Sequence, residues 1–182
     1  GSSSVKEIKQ NKIAVLSGRG ISTLSYGEVR YFLERDLNYN YSAIPAQNLS
    51  AKLLSKFNTL ILPNGGYRSI LNESKLKVLK SWISQGGKVI AIGNANQVFS
   101  SSKLFGLSPK KSKKDKKKEA DKAPKLILHK DKERAYIKNL ITGAIFKTKI
   151  DNSHPLGFGY SNDYFTLKLG NSTYDYLKNG AN

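Results

Sequence analysis

The sequence predicts a doubly wound α/β fold, a mostly parallel sheet with helices on both faces in three layers. Two observations carry this. Short runs that are apolar throughout, Lys12 to Leu16 (KIAVL), Thr59 to Leu62 (TLIL) and Lys88 to Ile92 (KVIAI), have the composition of strands buried on both faces. Between them lie segments with apolar residues at helical spacing, and alternating strands and amphipathic helices are the pattern of a parallel sheet covered on both sides.

Taken in order, KIAVL runs into Ser17-Gly18-Arg19-Gly20, a strand leaving through a flexible turn. Ser25 stands three residues before Glu28, a capping box, and Val29, Phe32, Leu33 and Leu37 recur at helical spacing, which predicts a helix from about Tyr26 to Leu37. Tyr41 to Pro45 reads as a second strand. Ser50 is placed to cap a short helix carrying Leu53, Leu54 and Phe57.

The third strand, TLIL, ends at Pro63-Asn64-Gly65-Gly66-Tyr67. Glu73 to Gln85 carries Leu76, Leu79 and Ile83 on one stripe beside Val78 and Trp82, and Gly86-Gly87 closes it as a C-cap. KVIAI is the fourth strand. Ala144 to Ile150 and Tyr164 to Leu169 read as later strands, antiparallel or at an edge, the first alternating apolar residues against Lys147 and Lys149.

At 182 residues the chain suits a single domain. Gly1 to Ser4 reads as a cloning scar, so the domain is expected to span residues 5–182. No apolar run approaches the roughly 18 residues of a membrane span. With no cysteine there is neither a disulfide framework nor a thiolate for metal binding or nucleophilic attack.

Lysine and arginine number 31 against 13 acids, a formal charge of +18. Between Lys110 and Lys125 nine lysines face three acids in a stretch with almost nothing apolar. A lysine-rich flexible insert is therefore expected at about residues 108–125, a solvated loop rather than a folded recognition surface. A basic polyanion- or nucleic-acid-binding module is the alternative this charge suggests, with Tyr31, Tyr39, Tyr41 and Tyr67 available for stacking. No recognisable nucleic-acid-binding motif accompanies them, so no specific nucleic acid is expected.

In an open α/β sheet the ligand crevice lies beyond the carboxyl ends of the strands. The candidate crevice residues are therefore Ser17, Arg19, Gly65, Gly66, Tyr67, Gly93, Asn94 and Gln97. Each glycine is also what a sharp strand exit requires. Asp151 and His154 form a turn or a functional pair, with the imidazole expected to be held by the Asp151 carboxylate or a backbone carbonyl. A hydrolytic enzyme of unrelated mechanism built on that pair is a third reading.

The string Leu60-Ile61-Leu62-Pro63-Asn64-Gly65-Gly66 resembles the strand and glycine pair that precede the oxyanion region of class I glutamine amidotransferases. Ala91-Ile92-Gly93-Asn94-Ala95-Asn96-Gln97 resembles their nucleophile elbow, Gly-x-Cys-x-Gly-x-Gln. The resemblance implies a flavodoxin-like, class I glutamine-amidotransferase-like domain in which Gly93 takes the place of the cysteine. Glycine has no side chain to attack with. The family's His-Pro-Glu has only His154-Pro155-Leu156 as a counterpart.

Tyr26-Gly27-Glu28-Val29-Arg30-Tyr31-Phe32, Leu62-Pro63-Asn64-Gly65-Gly66-Tyr67, Gly143-Ala144-Ile145-Phe146 and the run from Asp151 to Tyr160 (DNSHPLGFGY) are similar to the C-terminal amidotransferase-like domain of large zinc carboxypeptidases of Bacteroidetes. This resemblance implies a non-catalytic accessory domain, structural or ligand-recognising, in intramolecular contact with a peptidase domain that lies in the missing part of the parent. Zinc is expected there. In this segment no cofactor and no metal site are expected, because His129 and His154 are the only histidines and neither begins a His-x-x-Glu zinc motif. The family suggests an exported, periplasmic or extracellular protein; residue patterning alone leaves the compartment and the oligomeric state undecided.

Overall fold

The computed structural model describes residues 10–110, 128–138, 141, 143–170 and 172–177. The chain divides into two compact units, Gly1–Ser108 with Tyr176–Asn182, and Pro109–Asp175. The sequence reading of one domain over residues 5–182 made no such division. From residue 111 to its end the expected lysine-rich insert lies outside the described residues.

The first unit is built on four strands, β1 (Ile13–Ser17), β2 (Tyr41–Pro45), β3 (Thr59–Leu62) and β4 (Lys88–Ala91). They are all parallel, in the order β2-β1-β3-β4. This is the flavodoxin-like order, whose topological switch falls between β1 and β3. The helices are α1 (Thr23–Tyr31), α2 (Ala51–Leu54), α3 (Glu73–Ser84) and α4 (Asn96–Ser100).

Because side chains alternate across a strand, each strand feeds two cores. Ala14, Leu16, Ile44, Leu60 and Leu62 pack with Leu54 of α2, Leu76, Leu79 and Trp82 of α3, and Val98 and Phe99 of α4. On the opposite face Val15 and Ile61 pack with Leu33 and, around them, Ile13, Val29, Tyr41 and Ile92. Three layers result, α2, α3 and α4 on one side and α1 with its extension on the other. Thr59–Leu62 is buried at all four positions, which is why its sequence shows no alternation.

The first helix differs from its prediction. Its N-cap is Ser22, whose hydroxyl accepts from the Ser25 N–H at 3.3 Å; Ser25 lies inside the helix and is buried. The capping-box pattern placed the start three residues late because Ser22 and Ser25 are equally good caps by composition, and burial of Ser25 decides between them. The end of the helix widens into a π-turn over Phe32–Asp36, which directs Leu33 inward and leaves Phe32 and Leu37 half exposed. The caps at Ser50 and Asn72 satisfy the N–H groups of Leu53 and Lys75. Gly86 takes the left-handed conformation at φ +98° after α3, the usual helix stop.

The second unit holds α5 (His129–Ile137) and an antiparallel pair, β5 (Ala144–Lys149) and β6 (Asp163–Lys168). These later strands pair with each other. Ile145 stands opposite Leu167 and Lys147 opposite Phe165. Ile145 therefore shares a face with Lys147 and Lys149, and on that face Ile145, Phe165 and Leu167 are 74%, 64% and 63% exposed. Lys147 pairs with Asp163 there at 2.9 Å. Helix α5 has no sequence signature: HKDKERAYI carries almost no apolar stripe.

Candidate functional site

Three strand exits meet at the carboxyl ends of β1, β3 and β4. After β3, the Gly66 N–H donates to the Gly20 carbonyl at 2.8 Å, and Gly65 bridges Ile21 in antiparallel fashion. A Cβ on Gly65 would stand 2.6 Å from the Gly20 oxygen and 2.9 Å from the Ile21 Cα. The turn after β1 and the turn after β3 thus touch through backbone alone, and only glycine permits that approach. Gly66, by contrast, has open space where a Cβ would go.

Asn64 is held from α1 and in turn holds the third exit. Its N–H donates to the Ser25 hydroxyl at 3.0 Å, and its carbonyl accepts from the Ser22 N–H at 2.9 Å. Its side-chain Oδ1 accepts from the Asn94 N–H at 2.9 Å. That amide belongs to the turn Gly93–Ala95, which carries β4 into α4. Gly93 has φ +57°, a left-handed conformation that L-residues with side chains adopt only at a cost. A strand-to-helix turn with strained backbone at its exposed residue is the geometry of a nucleophile elbow, and here that residue has no side chain.

Gly65, Gly66, Tyr67, Asn94 and Gln97 line one shallow pocket of about 290 Å³ together with Arg68. Five of the expected crevice residues are therefore brought together, with Gly93 beside them. Ser17 and Arg19 do not line it. Tyr67 contributes little polar surface: its ring is 2% exposed, and its hydroxyl donates to the Pro63 carbonyl at 2.8 Å. Burial pushes this phenol's pKa up, so it stays neutral. Residues Pro63 to Leu71 turn the Tyr67 ring inward, so the side chain packs in the core. Gln97 donates to Asn94 Oδ1 at 3.2 Å, and Arg68 reaches the Ser101 hydroxyl at 3.1 Å. From the sequence Ser25 was read only as a helix cap and Asn64 only as part of the turn after the third strand, and Arg68 was not singled out; only the fold brings Ser25 against a residue 39 positions away.

Among solved structures this architecture recurs. A protein assigned to GMP synthase, as one of its subunits, from Thermoplasma acidophilum matches with a TM-score of 0.54 at 14% identity, over 94% of this chain and 71% of that one. A glutamine amidotransferase from Thermotoga maritima matches with a TM-score of 0.52 at 12% identity, over 94% of this chain and 65% of that one. The fold is glutamine-amidotransferase-like. At this identity the likeness concerns the fold alone, and the chain spans about two thirds of the length of the Thermotoga amidotransferase. No protein-family model and no curated protein matches the chain.

Around the amidotransferase-like sheet Tyr39, Tyr41 and Tyr67 are committed to the fold. Tyr39 donates to the Asn11 carbonyl at 2.8 Å. The Tyr41 hydroxyl lies 3.4 Å from that of Tyr26, and its pKa is raised by desolvation and then by this contact. Of the four tyrosines a stacking surface would use, Tyr31 alone is largely exposed. Among the described residues no group of three or more His, Asp or Glu side chains is arranged to hold a metal ion, and no helix is long and apolar enough to cross a membrane.

In the second unit Asp151 and His154 are neighbours without a bond between their side chains. The Asp151 carboxylate accepts from the Ser153 hydroxyl at 2.6 Å and the Ser153 N–H at 3.0 Å. These bonds, the hydroxyl first, hold its pKa below the ordinary value. His154 is extended, as the following proline favours, and its Nδ1 accepts from the Leu156 N–H at 3.2 Å, capping the short turn Pro155–Gly157. The imidazole is thus held by a backbone N–H rather than by the expected carboxylate or carbonyl, because Pro155 at the first turn position leaves the Leu156 N–H as the donor to be capped.

Two expectations follow for this turn. His154→Ala removes one half-exposed cap and should lower stability by about 0.5–1.5 kcal/mol, seen in urea unfolding. A depressed folded pKa means that the stabilising effect of Asp151 is complete above the unfolded value, about pH 4, and is lost as pH falls through the lower folded value. The Ser153 amide resonance, followed by NMR from pH 6 downward, should hold its position until below about pH 4 and then shift; a midpoint at or above the ordinary Asp value would contradict the capped carboxylate.

Proposed function

We propose that this chain is a non-catalytic accessory domain whose amidotransferase nucleophile has been lost, and that it works beside a zinc metallocarboxypeptidase domain of a larger exported protein. The observation that carries the first half is Gly93: the turn keeps the elbow's left-handed backbone, and the position that would present a thiol has no side chain. Acyl transfer by covalent catalysis needs a nucleophile and a base beside it. His154, the only histidine in the family-like motif, uses Nδ1 on its own backbone turn.

The exposed face of the β5–β6 hairpin supports the second half. A two-stranded sheet is marginal by itself, and Ile145, Phe165 and Leu167 form an apolar patch beside the Lys147–Asp163 pair. On this reading the patch packs against the peptidase domain of the same polypeptide, the occupant to which the DNSHPLGFGY resemblance points. Zinc belongs to that domain.

The test has two arms. The isolated chain should hydrolyse neither glutamine nor the C-terminal residues of peptides, with or without added zinc; turnover that survives purification would overturn the loss of chemistry. Determining the gene sequence upstream should reveal a signal peptide and a domain with a His-x-x-Glu zinc motif. If that motif is missing and the chain binds heparin or single-stranded DNA with a steep salt dependence, the +18 charge becomes the functional feature instead.

A further inference from the structure

The elbow-like turn lacks more than its nucleophile. In enzymes with this strand-to-helix turn, the N–H of the residue after the nucleophile helps to bind the oxyanion. Here that N–H is the one on Asn94, and it is already bonded to Asn64 Oδ1 at 2.9 Å, within the distance range an oxyanion would occupy. A Cβ built on Gly93 would lie 2.9 Å from the same Oδ1, 3.1 Å from Asn64 Cγ and 3.4 Å from Asn64 Cβ. The carboxamide of Asn64 therefore sits over the place from which a nucleophile would attack, with its oxygen in the place the substrate oxygen would take.

We infer that Asn64 is an internal plug: its carboxamide occupies the oxyanion position of the Gly93–Ala95 turn and excludes both a side chain at position 93 and a substrate carbonyl at the Asn94 N–H. The plug is well anchored. The Asn64 backbone is fixed at both ends by the start of α1, through the Ser25 hydroxyl and the Ser22 N–H, and Gly65 next to it is locked against Gly20 and Ile21. The backbone that carries the side chain is thus fixed, and the bond to the Asn94 N–H holds the carboxamide in place, so that the turn is closed at two positions rather than one. Restoring a cysteine at position 93 alone does not restore a working site.

This inference rests on Gly93 standing at the elbow, but it is tested without any enzymatic activity, so its failure is separable from that of the accessory-domain reading. A double-mutant cycle of Gly93→Ala and Asn64→Ala, followed by urea unfolding, isolates the contact, since the left-handed backbone penalty at position 93 is common to both backgrounds. Gly93→Ala should raise the unfolding equilibrium constant at least about tenfold more when Asn64 is present than when it is Ala. Equal effects in the two backgrounds would overturn the plug. Asn64→Ser replaces Asn64→Ala in the cycle should the latter not fold.

Hydrogen exchange at the Asn94 amide supplies an independent readout. Asn64→Ala should accelerate it at least about tenfold, as expected when a protecting hydrogen bond is lost, whereas Asn64→Asp, which keeps an acceptor oxygen, should retain protection. Exchange at Asn94 that is unaltered by Asn64→Ala, or accelerated equally by Asn64→Asp, would overturn the assignment.

Discussion

Gly65→Ala is expected to destabilise the first unit by about 1–3 kcal/mol, the usual range for forcing extra volume into a packed site, while its neighbour Gly66→Ala stays within about 0.5 kcal/mol of the wild type. The methyl on residue 65 meets backbone on both near contacts, the Gly20 oxygen at 2.6 Å and the Ile21 Cα at 2.9 Å. Backbone cannot rotate away as a side chain can, so relief requires the β1 and β3 exits to part, breaking the Gly66 to Gly20 hydrogen bond. Residue 66 meets nothing within 4 Å. Thermal and urea unfolding of the two variants side by side provide the check, and equal stabilities would show that the two exits do not touch as described. Because the same contact anchors Asn64, Gly65→Ala should also speed amide exchange at Asn94.

Leu60→Ala should cost more, about 2–5 kcal/mol, the range for truncating a large aliphatic side chain in a closed core. Leu60 is 0% exposed on a central strand of the sheet and packs in the cluster that α2, α3 and α4 cover. Neighbouring strands on both sides of β3 limit how far the cavity can collapse. Leu167→Ala in the β5–β6 hairpin is the contrast. With 63% of its surface exposed, it should change the stability of the isolated chain by well under 1 kcal/mol. On the proposed reading, in which a peptidase domain covers the hairpin face, the same substitution in the two-domain protein should weaken the packing of the domains. Unfolding midpoints for both variants of the chain decide the matter: a Leu167→Ala effect as large as that of Leu60→Ala would mean that the hairpin face is already buried.

How much of this could be seen in the residues depends on the range of the interactions involved. The parallel sheet was legible because buried strands are uniformly apolar: TLIL, KVIAI and KIAVL needed no partner to be recognised, and each strand lies within a residue or so of its predicted place. Caps at Ser50 and the stop at Gly86 were equally local. The start of α1 was not, since Ser22 and Ser25 compete on equal terms until Asn64 buries Ser25 and takes its hydroxyl. Helix α5 was missed because its residues carry no periodic apolar face. The pocket residues from Gly65 to Gln97 were found by a topological rule about strand ends, and that rule says where a crevice opens but not which side chains turn into it. Tyr67 turns away.

By itself the sequence determined the fold class, the absence of any thiol and the glycine at position 93 where the fourth strand ends, because each follows from composition or from patterns a few residues long. The tertiary structure decided what meets the Gly93–Ala95 turn. Asn64 and Asn94 are thirty positions apart, and neither propensity nor spacing brings a side-chain oxygen onto a particular backbone N–H across that distance. That contact exists because β3 and β4 are neighbours in the sheet and because Gly65 and Ser25 fix the backbone of Asn64 from either side, a geometry set only when all the strand exits pack together.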